Sequence, residues 1–288
     1  MQANGIAYRT PQKNPLQRHK SRRFTSARLS NALSSQAHKN RGLVTLKYSI
    51  RSQTPSQGQV DMDSDSTTIE VEAVIFDLDG VLIESEEWWD EVRSGMAADH
   101  DRAWPADATR AMQGMSTPEW SAYMANTVGI PGTPAEVAQA VIGRMAARYA
   151  ADLPLIAGAI DAVKAIAADW PVGIASSSPR VLIDTVLKET NLDQVVAYSL
   201  STEQVAAGKP SPAVYQAVAA KLGCEPARTV GVEDSSNGLR SASAAGLLIV
   251  AIPNPAYPPA PDALDLADVI IADISLLTPA VIGALAKR

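Results

Sequence analysis

From residue 70 onward the chain alternates between two kinds of segment. Short apolar runs, each closed by small or acidic residues, recur as "VEAVIFD", "WPVGIASSS", "VVAYSLS", "RTVGVEDSS" and "LLIVAIPNP", with "DVIIADI" near the end. Runs of this length and closure read as strands. Between them lie amphipathic stretches of helical length, among them "AIDAVKAIAADW", "PRVLIDTVLKET" and "PAVYQAVAAKLG". Strand alternating with helix predicts an α/β fold, a Rossmann-like parallel sheet with helices on both faces. In such sheets ligands sit outside the carboxyl ends of the strands.

One segment breaks the alternation. About ninety residues between the first strand and the strand near residues 171–175 read as helix after helix. Within them "TPAEVAQAVIGRMAARY" begins with Thr133 as an N-cap, Pro134 at the first helical position and Glu136 completing a capping box. Val137, Val141, Met145 and Tyr149 then share one face. Four of the five tryptophans (88, 89, 104 and 120) and five of the seven methionines (96, 112, 115, 124 and 145) fall here. A small helical module needs large side chains for its own core, so packing is the expected role of each. The expected organisation is an α/β core from 69–84 and 157–288, with a helical cap, 85–156, inserted after the first strand.

Charge divides the chain again. Residues 1–60 hold eleven Lys or Arg and no Asp or Glu, which leaves fourteen basic against thirty-one acidic residues for the rest. This Ser-, Gln- and Asn-rich tail, 1–68, lacks a sustained helical or strand period and is expected to be disordered. Three explanations stand side by side: a transit peptide for mitochondrion or plastid, a basic arm for loose nucleic-acid binding, or an upstream extension of a protein that starts at Met62. The rest is a globular protein, with 46% apolar residues for its core. A single cysteine, Cys224, excludes an intramolecular disulfide framework and a thiolate zinc cluster, and suits a reducing compartment such as the cytoplasm. No run of 18 apolar residues occurs, so no membrane partner is expected.

Four places in the chain carry chemistry. In "FDLDG" the first strand ends in Asp77, a second carboxylate follows at Asp79, and Gly80 lets the backbone turn sharply. Two carboxylates this close can share a divalent cation and still divide nucleophilic attack from proton transfer. In "GIASSSPR" a strand runs into three serines. Ser178 is the expected N-cap and Pro179 the first helical residue, and that capping gives no reason for Ser176 and Ser177. Hydroxyls and free N–H groups at such a turn suit a phosphate. Lys209 in "AAGKPSP" precedes a helix and brings a point charge to an anion. In "GVEDSSNG" Glu233 and Asp234 end another strand and Ser235 opens a helix. Four acids at strand ends would repel one another unless a cation held them, and an all-oxygen set suits Mg²⁺.

"DLDGV", "ASSS", "GKP" and "VEDSSNGLRSASAAG", in that order, resemble the four motifs of the haloacid dehalogenase-like superfamily over residues 70–275, and the helical insertion resembles the cap of its beta-phosphoglucomutase-like branch. The resemblance implies that Asp77 is a nucleophile forming an aspartyl-phosphate. Asp79 would protonate the leaving oxygen and then activate water, while Ser176, Ser177 and Lys209 would hold the phosphoryl group. Mg²⁺ would be bound by the Asp77 side chain, the Asp79 backbone carbonyl and Asp234, with Glu233 as ligand or support. Phosphoryl transfer depends mainly on positioning and on neutralised oxygens, which agrees with this division. Outside the tail the chain's one histidine is His100, so a histidine base is not expected in this chemistry, and no G-x-S-x-G occurs.

Within the branch the choice is between a phosphatase and a sugar-phosphate mutase. The mutases resembled here carry a histidine where this chain has Trp89, an arginine where it has Thr117 and a lysine where it has Pro179. The proline after "ASSS" resembles sugar- and polyol-phosphate phosphatases. The expected function is therefore Mg²⁺-dependent hydrolysis of a small phosphorylated metabolite, a sugar, polyol or glycolate phosphate. A mutase is the alternative, and a non-catalytic protein binding through its basic tail comes after it. Dehalogenase chemistry on the same fold normally lacks the second acid, here Asp79. The expected partner is the metabolite rather than nucleic acid.

Overall fold

The computed structural model describes residues 70–112 and 115–285. The basic tail, 1–68, and Met62 lie outside the described residues. Six strands form one sheet: β1 (Ala73–Phe76), β2 (Val172–Ser176), β3 (Val196–Ser201), β4 (Thr229–Glu233), β5 (Leu248–Ala251) and β6 (Val269–Ile270). All neighbours pair in parallel, in the order β3-β2-β1-β4-β5-β6. The α/β expectation holds, strand by strand.

The helices are α1 (Glu86–Asp99), α2 (Ala108–Met112), α3 (Thr117–Tyr123), α4 (Pro134–Ala151), α5 (Ala159–Ala167), α6 (Arg180–Glu189), α7 (Ala213–Leu222), α8 (Ser236–Ala244), α9 (Pro261–Leu264) and α10 (Pro279–Leu285). A strand's side chains alternate between faces, and here both faces are packed. Val74 and Phe76 join Val163, Ile183 and Ile282 from α5, α6 and α10. Ile75 joins Val214, Val218 and Leu239 from α7 and α8 on the other side. That double burial is why "AVIF" is apolar throughout instead of alternating. β1 sits between β2 and β4, in register with both, Val74 opposite Val172 and Val230. The chain builds outward from β1 first on one side and then on the other. The crevice where that direction reverses lies at the ends of β1 and β4.

The helical cap leaves and re-enters the core at one place. Ile83 bridges Leu155 antiparallel, Glu84 N–H donates to Pro154 O at 2.8 Å, and Ile156 N–H donates to Leu82 O at 3.0 Å. The two crossing segments are paired side by side, and α4 of the insertion also packs against α6 of the core. The capping box at α4 forms as expected, with the Thr133 hydroxyl accepting from Glu136 N–H and Glu136 accepting from Thr133 N–H at 2.8 Å. Trp89, Met96, Met112, Trp120, Met124 and Met145 are buried, and Trp88, Trp104 and Met115 pack against the same apolar cluster. Among the described residues no helix is long and apolar enough to cross a membrane.

Candidate active site

Three strand ends are tied together by one ammonium group. Lys209, from the loop before α7, is buried. Its Nζ donates to Ala175 O at the end of β2 at 2.9 Å and to Glu233 Oε1 at the end of β4 at 2.7 Å. It also lies 2.8 Å from Asp77 Oδ1 at the end of β1. The last contact is an ion pair whose angle falls short of a hydrogen bond, since Asp77 Oδ1 finds no hydrogen-bond partner among the described residues. Two hydrogen bonds and one ion pair converge on one nitrogen, so the lysine expected on charge grounds is held in place.

Glu233 is fully buried and heavily partnered. Tyr215, on the buried face of α7, donates to its Oε1 at 2.6 Å, and Asp234 N–H donates to its Oε2 at 3.3 Å. Two glycines make room for these acids. Gly80 has φ +80°, and a Cβ there would lie 2.0 Å from Asp234 Oδ2. A Cβ on Gly238 would lie 1.8 Å from Glu233 Oε2. Neither position can carry a side chain without displacing a carboxylate.

Asp79 is held from the other side. Ser85 Oγ donates to its Oδ1 at 2.6 Å, Ser178 Oγ to its Oδ2 at 2.7 Å, and Ser176 Oγ reaches the same oxygen at 3.4 Å. Ser176 Oγ also accepts the Ser178 N–H at 2.9 Å, and Ser201 Oγ donates to Ser178 O at 2.7 Å, which fixes the turn. Ser177 is the exposed residue of the three. The expectation that Ser178 caps α6 is corrected here. Pro179, extended at ψ 143°, occupies the N-cap position without a side-chain cap, and Arg180 begins the helix. The Ser178 hydroxyl instead donates to the Asp79 carboxylate, one position before the cap.

One oxygen from each of Asp77, Glu233 and Asp234 lies within 4.8 Å of the others. Burial pushes the Asp77 carboxyl up, against the pull of Lys209 and together with the charges of Glu233 and Asp79. Burial and then Glu233 and Asp77 push the Asp234 carboxyl up as well. Asp234 Oδ1 is buried without a hydrogen-bond partner among the described residues. An orphaned carboxylate oxygen inside a cluster of acids that one lysine does not balance fits a hard divalent cation with oxygen ligands, as expected for Mg²⁺.

The structure thus gathers Asp77, Lys209, Glu233 and Asp234 into one cluster, with Asp79 and Ser176 beside it and Ser177 on the rim. Sequence reading missed Tyr215, Ser85, Ser201 and Gly238. Tyr215 had a faint signal, as the aromatic residue on an otherwise aliphatic helix face, while Ser85 and Ser201 look like ordinary loop serines. On the cap side Thr117 Oγ1 donates to Glu203 Oε1 of the core at 3.3 Å, so the start of α3 meets the core directly.

Comparison with known proteins agrees with this geometry. Residues 71–246 match the family model described as haloacid dehalogenase-like hydrolase. Hexitol phosphatase B of Escherichia coli strain K12 is 32% identical over 217 residues, which covers 73% of this chain and 94% of that protein. A phosphorylated carbohydrates phosphatase of Thermotoga maritima is 26% identical, covering 62% of this chain and 82% of that one. Among solved structures, CbbY from Rhodobacter sphaeroides in complex with phosphate superposes with a TM-score of 0.66 at 24% identity, covering 74% of this chain and 99% of that chain. The strand order, the four polar clusters in chain order and these matches lead to one conclusion: the chain belongs to the haloacid dehalogenase-like hydrolases, in their phosphatase branch.

Proposed function

We propose that this hydrolase releases phosphate from a phosphorylated sugar or polyol through an aspartyl-phosphate on Asp77, with Mg²⁺ as cofactor. The observation that carries the reading is the buried Asp77–Lys209–Glu233–Asp234 cluster at the strand ends, with Asp79 held beside it by serine hydroxyls. Asp77 presents a carboxylate oxygen for attack on phosphorus, and Lys209 offsets charge on that oxygen and on the phosphoryl group. The Ser176 hydroxyl and the Ser177 turn would hold the remaining phosphoryl oxygens. Asp79, fixed in orientation by Ser85 and Ser178, passes a proton to the leaving oxygen and later takes one from the attacking water. Asp77, Asp234 and the Asp79 backbone carbonyl would hold Mg²⁺, with Glu233 steadying the set. When bound, the cation supplies charge neutralisation at the phosphoryl oxygens.

The names of the relatives, a hexitol phosphatase and a phosphorylated carbohydrates phosphatase, support a polyhydroxy substrate. The cap, read as 85–156, would close over it and exclude water. We place the mutase alternative second. Trp89 is buried against Trp120, and Thr117 is bonded to the core, where the mutases resembled here carry a histidine and an arginine.

The test is phosphate release from a panel of hexitol, sugar and glycolate phosphates, with Mg²⁺ and with chelator. Wild type should turn over the polyhydroxy esters only with the metal. Asp77→Asn should lose activity by on the order of 10⁴-fold or more while remaining folded. Interconversion of isomeric sugar phosphates without phosphate release would sink the phosphatase reading in favour of a mutase.

A further inference from the structure

The cap holds a half-buried cation whose hydrogen-bonding capacity the fold leaves partly unused. The guanidinium carbon of Arg93, on α1, lies 4.8 Å from the ring centroids of both Trp89 and Trp120. The two indoles are themselves buried, with centroids 6.0 Å apart. Two aromatic faces stabilise a guanidinium plane but accept none of its N–H bonds in plane. The Arg93 Nε–H is buried and has no acceptor among the described residues. Burial lowers the guanidinium pKa to about 10 even though Glu86 and Asp90 pull it the other way. An arginine in this state is held in shape and short of an acceptor.

Its position points to what the acceptor is. Glu86 opens α1 directly after the segment that carries Asp79 and Ser85, and Arg93 follows seven residues later. Seven residues make two helical turns, so both side chains leave the same face, about 10 Å apart along the axis. Glu86 is exposed as a residue, yet crowding around its carboxyl and then the charge of Asp79 push its pKa up, while Arg93 pulls it down. Its carboxyl therefore feels the charge of both Asp79 and Arg93. Beside this stripe lies a cavity of about 600 Å³ lined by the four acids of the first turns of α1, by Asp107 and Arg110 around α2, and by Tyr257 of the core. Trp120 belongs to α3, whose first residue, Thr117, touches the core at Glu203. The stack thus lies one turn along α3 from a contact between cap and core.

We propose that Arg93, clamped between Trp89 and Trp120, is a specificity-determining residue that donates to the hydroxyls at the far end of a polyol or sugar phosphate, with Glu86 accepting from hydroxyls nearer the phosphate. The inference rests on the phosphatase reading above and extends it to the substrate. A molecule anchored by its phosphoryl group at Asp77 and running along α1 meets Glu86 first and Arg93 two turns later. A hydroxyl is donor and acceptor at once, so a carboxylate and a guanidinium in succession suit a polyhydroxy chain. The far end is uncharged, because a second phosphate or a carboxylate there would face Glu86, Glu87, Asp90, Glu91 and Asp107, which outnumber Arg93 and Arg110. Those carboxylates act as the repulsive element that selection between similar esters needs.

The experiment compares wild type with Arg93→Met, Arg93→Lys and Glu86→Gln on three esters: a six-carbon polyol phosphate, two-carbon phosphoglycolate and a six-carbon phosphorylated sugar acid. Tm is measured for each variant. Arg93→Met should cost the polyol phosphate at least tenfold more in kcat/KM than it costs phosphoglycolate, mostly through KM, and Arg93→Lys should restore part of that loss. Wild type should handle the sugar acid at least tenfold worse than the polyol, and Glu86→Gln should narrow the gap. Equal losses on long and short esters that follow a fall in Tm would make Arg93 a packing residue and overturn the assignment. A wild-type preference for the sugar acid would overturn it as well, while leaving the phosphatase reading intact. Absence of release from every ester by the wild type would remove both.

Discussion

The core side and the cap side of the cleft are built on opposite principles. On the core side nearly every polar atom is engaged: Lys209 meets three acceptors, Glu233 four donors and Asp79 three serines. On the cap side the structure is held by buried tryptophan, methionine and tyrosine, and its polar groups near the cleft are left short of partners, as at Arg93 Nε and Tyr149 Oη. Phosphoryl chemistry needs charges that do not reorganise when the reaction occurs, so its groups are locked in advance. Recognition needs groups free to bond a visitor, so its scaffold is apolar and its polar atoms wait. The exceptions on the core side, Asp77 Oδ1 and Asp234 Oδ1, belong to the carboxylates that the proposed cation would join.

The sharpest way to break this contrast is to remove the shared cation of the core. Lys209→Met leaves Asp77, Glu233 and Asp234 buried without their counter-charge. The expected cost is about 3–5 kcal/mol in urea unfolding, with turnover lost at the same time. Retention of full stability would mean that the acids relax apart and that the lysine does not organise the site. The matching change in the cap is Met145→Ala, at a fully buried position in α4. It should cost a comparable ~2–5 kcal/mol through the cavity it leaves. Yet kcat measured on the folded fraction should stay within a few-fold, since Met145 contributes apolar packing and no polar group to the Asp77 cluster. A kcat loss as large as that of Lys209→Met would erase the division between the two sides.

A smaller effect sharpens the comparison from the ligand's direction. Mg²⁺ at 100 times its Kd should stabilise the protein by about 2.7 kcal/mol, and chelator should reverse this. Asp234→Asn should abolish the metal-dependent rise in Tm, whereas Met145→Ala should keep it despite its lower starting point. A rise that survives Asp234→Asn would place the cation elsewhere.

How much of this was legible beforehand follows the same division. The strands could be read because burial on both faces writes unbroken apolar runs, and the reactive residues because each closes such a run: Asp77 after β1, Ser176 at the end of β2, Glu233 and Asp234 at β4. Lys209 could be named but not its three contacts, which join residues far apart in sequence. Tyr215 and Ser85 act only through such long-range pairing, so nothing local marks them. Ser178 looks like the N-cap of α6 because serine caps well in isolation, and nothing local shows that its hydroxyl donates to Asp79, 99 positions away. In the cap, a tryptophan that packs and one that clamps an arginine carry the same sequence signal. The helices were therefore readable and the Trp89–Arg93–Trp120 stack was not.

The weakest perturbation is the cleanest probe of whether the cap contributes stability without contributing chemistry. Thr133 closes the capping box at the start of α4, donating its backbone N–H to Glu136 and accepting the Glu136 N–H on its hydroxyl. Thr133→Ala removes the hydroxyl half of that exchange and leaves one N–H of the first turn to solvent. Tm should fall by roughly 2–4 °C, the shift that a loss near 1 kcal/mol produces in a chain of this size. Activity toward long and short esters should be unchanged below the transition, because the bond removed is local to the exposed first turn of α4. A selective loss on the long ester would mean that fraying at the start of α4 reaches the substrate-reading face, and that the cap's packing and its recognition are one system rather than two.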